Sequence, residues 1–238
     1  MRRPLSFIVS LGVACAAIGT TAARAADLPA RAPAPVYKAP AALPYNWSGF
    51  YLGLNGGYGW GRSSWSDPTA GADSGSFSTN GGLIGGQMGY NWQTGAAVIG
   101  LETDADWTNI KGSTAGPGGV CAIDGAGMCQ TQQNWIGTTR LRLGYAADRW
   151  LPYVTGGVAY GDIQVNQITG NASTTRAGWT AGGGLEVGLD RNWSAKVEYL
   201  HIDLGTAVLF SAATGASSLS VPVTNDVVRA GVNYRFGW

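Results

Sequence analysis

Residues 47–61 read WSGFYLGLNGGYGWG. The even positions carry Phe50, Leu52, Leu54, Gly56, Tyr58 and Trp60, and the odd ones Tyr51, Gly53, Asn55, Gly57 and Gly59. Side chains alternate across a β-strand, so this segment has one apolar face and one small or polar face. The same alternation recurs seven times. Ile84, Met88, Tyr90 and Trp92 oppose Gln87 and Asn91. Ala97, Ile99, Leu101, Thr103, Ala105 and Trp107 oppose Glu102, Asp104 and Asp106. Trp135, Leu141, Leu143 and Tyr145 oppose Thr138, Arg140 and Arg142. The segment Leu151–Ile163 has mixed parity, with Val154, Val158 and Tyr160 on its more apolar side. Trp179, Ala181, Leu185, Val187 and Leu189 oppose Thr180 and Glu186. Trp193, Ala195, Val197 and Tyr199 oppose Ser194, Lys196 and Glu198. Finally Val228, Ala230, Val232, Tyr234, Phe236 and Trp238 oppose Arg229, Asn233 and Arg235.

Composition narrows the class. Only 12% of the 238 residues are charged, about half the usual share of roughly 25%, while the 38 glycines are close to twice theirs. Ordinary apolar content with little charge argues against disorder. A formal charge of +1 gives no basic field for nucleic acid. So much glycine disfavours helices, each costing about 1 kcal/mol in a helix interior.

Residues 1–25 read as a secretory signal peptide: Arg2 and Arg3, an apolar run Leu5–Ile18, and the small-x-small sequence Ala23-Arg24-Ala25. Residues 26–46, with Pro29, Pro33, Pro35, Pro40 and Pro44, read as an extended periplasmic lead-in. Export places Cys121 and Cys129 in an oxidising compartment, and a disulfide closing a small surface loop is expected there. No third Cys and no His stands near them, so no metal site is expected.

Eight amphipathic strands make either a soluble or a membrane barrel, and the aromatic residues decide between them. Trp47, Trp92, Trp150, Trp193 and Trp238 fall at one rim, and Trp60, Trp107, Trp135 and Trp179 at the other. Trp favours the lipid headgroup level, and apolar faces ten residues long, tilted by about 40°, cover roughly 25 Å. Short links near 93–95, 146–149 and 190–192 alternate with long polar ones at 62–79, 109–132, 164–176 and 204–225, the membrane-barrel habit of short periplasmic turns and long outer loops. The expected fold is therefore all-β: an eight-stranded antiparallel up-and-down transmembrane barrel over residues 47–238, in the bacterial outer membrane.

The stretches NWSGFYLGLNGGYGWG (46–61), LPYVTGGVAYG (151–161), WSAKVEYLHIDLG (193–205) and VRAGVNYRFGW (228–238) resemble small outer-membrane β-barrel proteins of Gram-negative bacteria, the porin-family or OmpA/OmpX-like surface antigens. The resemblance covers Trp47–Trp238. It implies that Tyr234, Phe236 and Trp238 form a C-terminal signal for the barrel-assembly machinery, with outer-membrane lipids as the other partner. No peptidoglycan-binding segment is expected after Trp238. Family members include structural barrels, pores and haem-binding surface proteins, so the resemblance leaves three readings of activity open.

Eight strands leave a lumen that side chains can fill. Its expected charges are Glu102, Asp104, Asp106, Glu186 and Glu198 against Arg140, Arg142, Lys196, Arg229 and Arg235. Glu102, five residues from Trp107, and Arg140, five residues from Trp135, stand at similar depth, and Glu186 and Lys196 match in the same way across the 190–192 turn. These charges predict an ion-paired, largely closed plug; unpaired charges in a watery channel are the alternative. The leading expectation is a structural or surface-recognition barrel, with Trp65, Asp67 and Asp73 in an outer loop among the surface features. A narrow solute channel is the second. A haem-binding surface protein, through the sole histidine His201, is the third. No Ser stands close to His201 in sequence, and nucleophilic catalysis needs a base within reach of a nucleophile, so no enzyme and no catalytic residues are expected. Neither metal nor cofactor is called for.

Overall fold

The computed structural model describes residues 45–67, 72–115, 128–167, 170–210 and 218–236, all within the compact unit Leu43–Trp238. The signal peptide and most of the lead-in, residues 1–44, lie outside them, as do Cys121 and Trp238.

Eight strands form the molecule: β1 (Gly49–Asp67), β2 (Ala72–Thr94), β3 (Ala97–Ala115), β4 (Met128–Tyr145), β5 (Trp150–Gln167), β6 (Gly170–Gly188), β7 (Trp193–Phe210) and β8 (Ser218–Phe236). Each is antiparallel to its sequence neighbours, and β1 pairs with β8 from Phe50↔Phe236 to Ser66↔Ser220, closing the barrel. Closure removes every sheet edge.

Three tight turns join strands at one end. Gly95, with φ of 61°, opens the turn between β2 and β3, where a primed hairpin turn needs a residue free to adopt positive φ. Asp148 takes φ of 53° in the turn bracketed by the Ala147↔Trp150 bridge. In the third turn Asp190 Oδ1 accepts the N–H groups of Asn192 (2.8 Å) and Trp193 (2.7 Å), which hold its carboxyl below the usual aspartate range.

The outer wall follows the sequence parity. Leu54 (69% exposed), Ile84, Ile99, Leu141, Val154, Val197 and Val232 face outward. Trp92, Trp150 and Trp193 stand exposed at the short-turn rim, and Trp60, Trp107 and Trp179 at the other. Trp107 is directly opposite Trp135 across β3–β4, and Trp135 packs with Tyr160, ring centroids 6.3 Å apart.

Two sequence expectations fail here. Trp47 is no girdle residue: it is 1% exposed and packs with Val98 and Leu151 at the short-turn end, because its Nε1–H donates to the Asp148 carbonyl (3.0 Å) and draws the ring inward. The four segments read as long polar loops are largely strand. The strands run 18–23 residues, well past the upper tryptophans. Their outward residues there are polar, such as Ser64, Ser76 and Ser78, while Trp65, Phe77, Ile110, Ile163, Val221 and Val223 point inward and form an apolar core. Above the belt the outside meets water, so the hydrophobic effect turns the apolar face toward the axis. Trp65, expected in a loop, is wholly buried and donates from Nε1 to Thr131 Oγ1 (2.8 Å).

Adjacent glycines on opposite faces test the packing. A Cβ on inward Gly57 would sit 2.3 Å from the Val228 carbonyl oxygen and 2.7 Å from Arg229 Cα, whereas on outward Gly56 its nearest neighbour is 3.6 Å away. Gly57→Ala should destabilise the folded barrel by about 1–3 kcal/mol through overpacking, and Gly56→Ala should leave it close to wild type. The check is the temperature at which the folded band converts to the unfolded one on electrophoresis.

Candidate functional site

The inward positions build a lumen in three layers. The lowest is a lid of rings and one cation. Trp47 meets Tyr45 edge-on with centroids 4.7 Å apart. The Arg235 guanidinium lies 4.6 Å from the Tyr45 ring centre and 5.3 Å from that of Trp47, and bonds the Tyr45 hydroxyl. Tyr45, assigned from sequence to the lead-in, thus packs with the barrel.

The middle layer is a buried ion network. Arg140 on β4 reaches three carboxylates: Glu102 (2.6 Å), Asp104 (2.8 Å) and Glu198 (2.9 Å). Arg229 on β8 crosses the lumen to Asp104, Asp106 and Glu198, each at 2.8 Å. Arg142 holds Glu186 at 2.6 Å and lies 3.9 Å from the Tyr153 ring centre. Lys196 Nζ stands 2.9 Å from Glu102 Oε1. These side chains are almost completely buried.

The third layer is the apolar core above, joined from β7 by Leu200, Ile202 and Leu204 and from β8 by Val227. Within one strand the inward residue changes from Lys196 and Glu198 to Leu200, whose rung runs through Val227 to Gly59, next to Trp60.

All ten predicted lumen charges are buried, but two expectations need correction. Arg235 makes no ion pair among the described residues; it lies at the rim, within reach of rings rather than carboxylates. Glu186 and Lys196 are opposite in register, yet Glu186 pairs with Arg142, and Lys196 pairs with Glu102 on β3. Long side chains converge on a narrow axis, so a partner across the lumen competes with the cross-strand neighbour.

Without Arg235 the network holds five carboxylates and four cations. Neutral donors add to it, while Asp104 Oδ1, Asp106 Oδ1 and Arg140 Nε keep no hydrogen-bond partner among the described residues. Tyr51 donates its hydroxyl to Glu102 (2.7 Å), Tyr153 to Glu198 (3.0 Å), Thr138 to Asp104 (2.7 Å) and Ser194 to Glu186 (2.6 Å). The Asn233 amide donates to the same Glu186 (2.9 Å). The two tyrosines were missed as functional residues, although both lie on the inward parity of their strands.

His201 faces outward at the upper rim. Its Nδ1 is 2.8 Å from Asp226 Oδ1, which also accepts the Tyr199 hydroxyl (2.6 Å), and its ring is 5.4 Å from that of Trp179. Cys129 is buried and disulfide-bonded, with Cys121 outside the described residues. Asp73 is exposed and accepts the Gly75 N–H at 2.7 Å.

Known proteins share this architecture. The family model for the outer membrane protein beta-barrel domain matches residues 13–236. The 31 kDa outer-membrane immunogenic protein of Brucella melitensis is 38% identical over 242 residues, covering 93% of this chain and 96% of its own. The 22 kDa outer membrane protein of Rhizobium leguminosarum is 36% identical over 168 residues, covering 70% and 68%. The crystal structure of the outer membrane protease OmpT from Escherichia coli superposes with a TM-score of 0.50 at 9% identity, covering 82% of this chain and 99% of that one, a likeness of fold.

Arg140 carries the test of the network. Arg140→Ala takes one cation from three buried carboxylates at once, leaving four cations' work to three, and should cost about 3–5 kcal/mol, the usual penalty for breaking a buried pair. The outward neighbour Thr139→Ala should change stability by far less. Urea unfolding in detergent micelles, followed by tryptophan fluorescence, measures both.

Proposed function

This chain belongs to the outer membrane protein β-barrel family and resides in the bacterial outer membrane, and we propose that it works there as a closed barrel that presents its outer hairpins at the cell surface. The observation that carries the reading is the filled lumen. An ion moving along the axis would have to separate Arg140 and Arg229 from carboxylates 2.6–2.9 Å away, then pass a mainly apolar core in which the Asn225 amide already spans to Gln133 at 2.8 Å. Both steps oppose conduction.

The strands above the upper tryptophans supply rigid stems for surface contact. The hairpin of β3 and β4 stays paired from Trp107↔Trp135 to Ala115↔Met128. About eight residues at roughly 3.3 Å each raise its end by some 26 Å along the strand. Residues 68–71, 116–127, 168–169 and 211–217, which link such stems in sequence, lie outside the described residues. Relatives named as immunogenic outer-membrane proteins favour a surface-displayed role.

For assembly, β8 offers outward Tyr234 and Phe236, whose ring centroids are 4.9 Å apart, with Tyr234 5.1 Å from Trp193. Together with Trp238 they would form the aromatic stripe read by the barrel-assembly machinery.

Conductance separates the closed barrel from a narrow channel. Refolded protein in planar bilayers should give no sustained current steps at 100 mV. Stable steps in the nanosiemens range would overturn the closed-lumen reading.

A further inference from the structure

The outer wall of β1–β3 carries two cations that the barrel itself does not use. Arg62 and Lys111 both point outward and are exposed. Lys111 shares a rung with Asn80 and Trp60, and Arg62 is the next outward residue above Trp60 on β1. Neither side chain makes a hydrogen bond or ion pair among the described residues. The carboxylate beside Trp60, Asp226 on β8, is engaged by Tyr199 and His201 instead. Two unpaired cations therefore stand at and just above the rung of Trp60, on β1 and β3 to either side of β2, where the phosphates of a lipid leaflet lie.

Below them on the same strands is a groove of about 820 Å³ in the hydrocarbon-facing wall. Gly86 and Ala105, paired in register, form its floor, and Leu54, Ile84, Met88 and Trp107 its sides. From Gly86 up to Asn80 is six residues of β2, about 20 Å along the strand and about 15 Å along the membrane normal at a tilt near 40°. That is half of a roughly 30 Å hydrocarbon core, the depth of one leaflet's acyl chains. Small residues make the hollow, large ones wall it, and the cations stand at the height of the headgroup.

We propose that Arg62 and Lys111 bind the phosphate of an acyl lipid in the outer leaflet, whose chain lies in the Gly86–Ala105 groove. The site depends on the outer wall alone and holds whether or not the lumen conducts. The guanidinium supplies paired N–H donors to phosphate oxygens, the ammonium a point charge beside them. The groove adds apolar contact that a freely diffusing phosphate lacks.

The test uses the full mature chain, delipidated and refolded in non-ionic detergent, with a diacylglycerol phosphate as probe and native mass spectrometry as readout. Wild type should bind one phosphorylated lipid more tightly than the matching diacylglycerol by about tenfold, the scale of a charge-assisted contact. Arg62→Gln with Lys111→Gln should abolish that preference, each single change should lower it in part, and Arg191→Gln at the opposite rim should leave it intact. Ala105→Leu, filling the groove, should weaken lipid binding while the cations remain. Equal binding of the two lipids by wild type, or an unaltered preference in the double variant, overturns the proposal. Competition by millimolar inorganic phosphate with no effect of Ala105→Leu overturns the lipid as occupant. The heat-dependent gel shift confirms that each variant is folded; should the double variant fail that check, the single variants decide.

Discussion

A peptide backbone in hydrocarbon has no water to bond with, so every N–H and C=O must find its partner within the protein. In this chain the pairing of β1 with β8 meets that demand by closing the ladder. Other features follow. Closure with eight strands makes a narrow cylinder. A narrow cylinder leaves room for long inward side chains only where other inward positions are small, which is why glycines such as Gly57 sit against neighbouring backbone. Charges cannot face the oil, so they share the axis, where mutual pairing and hydroxyl donors offset their desolvation.

The stacking of layers reflects a change of solvent along the outside. Between the aromatic rims the environment is lipid, and apolar side chains gain by pointing out. Above them it is water, and the preference reverses without any break in the strands. β8 shows the reversal in one run: Arg235, Asn233 and Arg229 point inward through the belt, then Val227 at the rung beside Trp60, and above it Asn225, Val223 and Val221. The upper barrel is thus built like a soluble β-barrel standing on a membrane one.

That reversal also explains what was legible in the sequence. A period of two assigns faces without reference to depth, so the outward set from Leu52 to Phe236 and the ten buried charges could be read directly. Counting inward from Trp107 and Trp135 at the upper rim placed Glu102 opposite Arg140, and the short turn at 190–192 placed Glu186 opposite Lys196. Parity says nothing of where lipid ends, so the serine-rich upper segments looked like loops although Trp65 and Phe77 line their inner face. Two bulges compound the difficulty. In β4 the inward parity passes from Thr131 and Gln133 to Ile136 and Thr138, and in β7 from Leu204 to Ala207, each across an irregular pairing. Trp47 was misread because its position depends on a hydrogen bond to Asp148, a hundred and one residues away. Ion-pair partners across the lumen depend on side-chain reach, which no strand pattern encodes: Lys196 extends from β7 to Glu102 on β3.

A lumen occupied by the groups that stabilise the cylinder has little freedom to serve a passing solute. Moving Arg140 or Arg229 would disturb three carboxylates at once, so transport and stability would compete for the same side chains. The outer wall and hairpin ends carry no such conflict. Residues there can vary in charge and size while the ladder and the buried network stay intact, and unpaired Arg62 and Lys111 belong to that free surface. In a small closed barrel, specificity toward lipids or surface ligands can therefore develop on the outside, with the inside committed to holding shape.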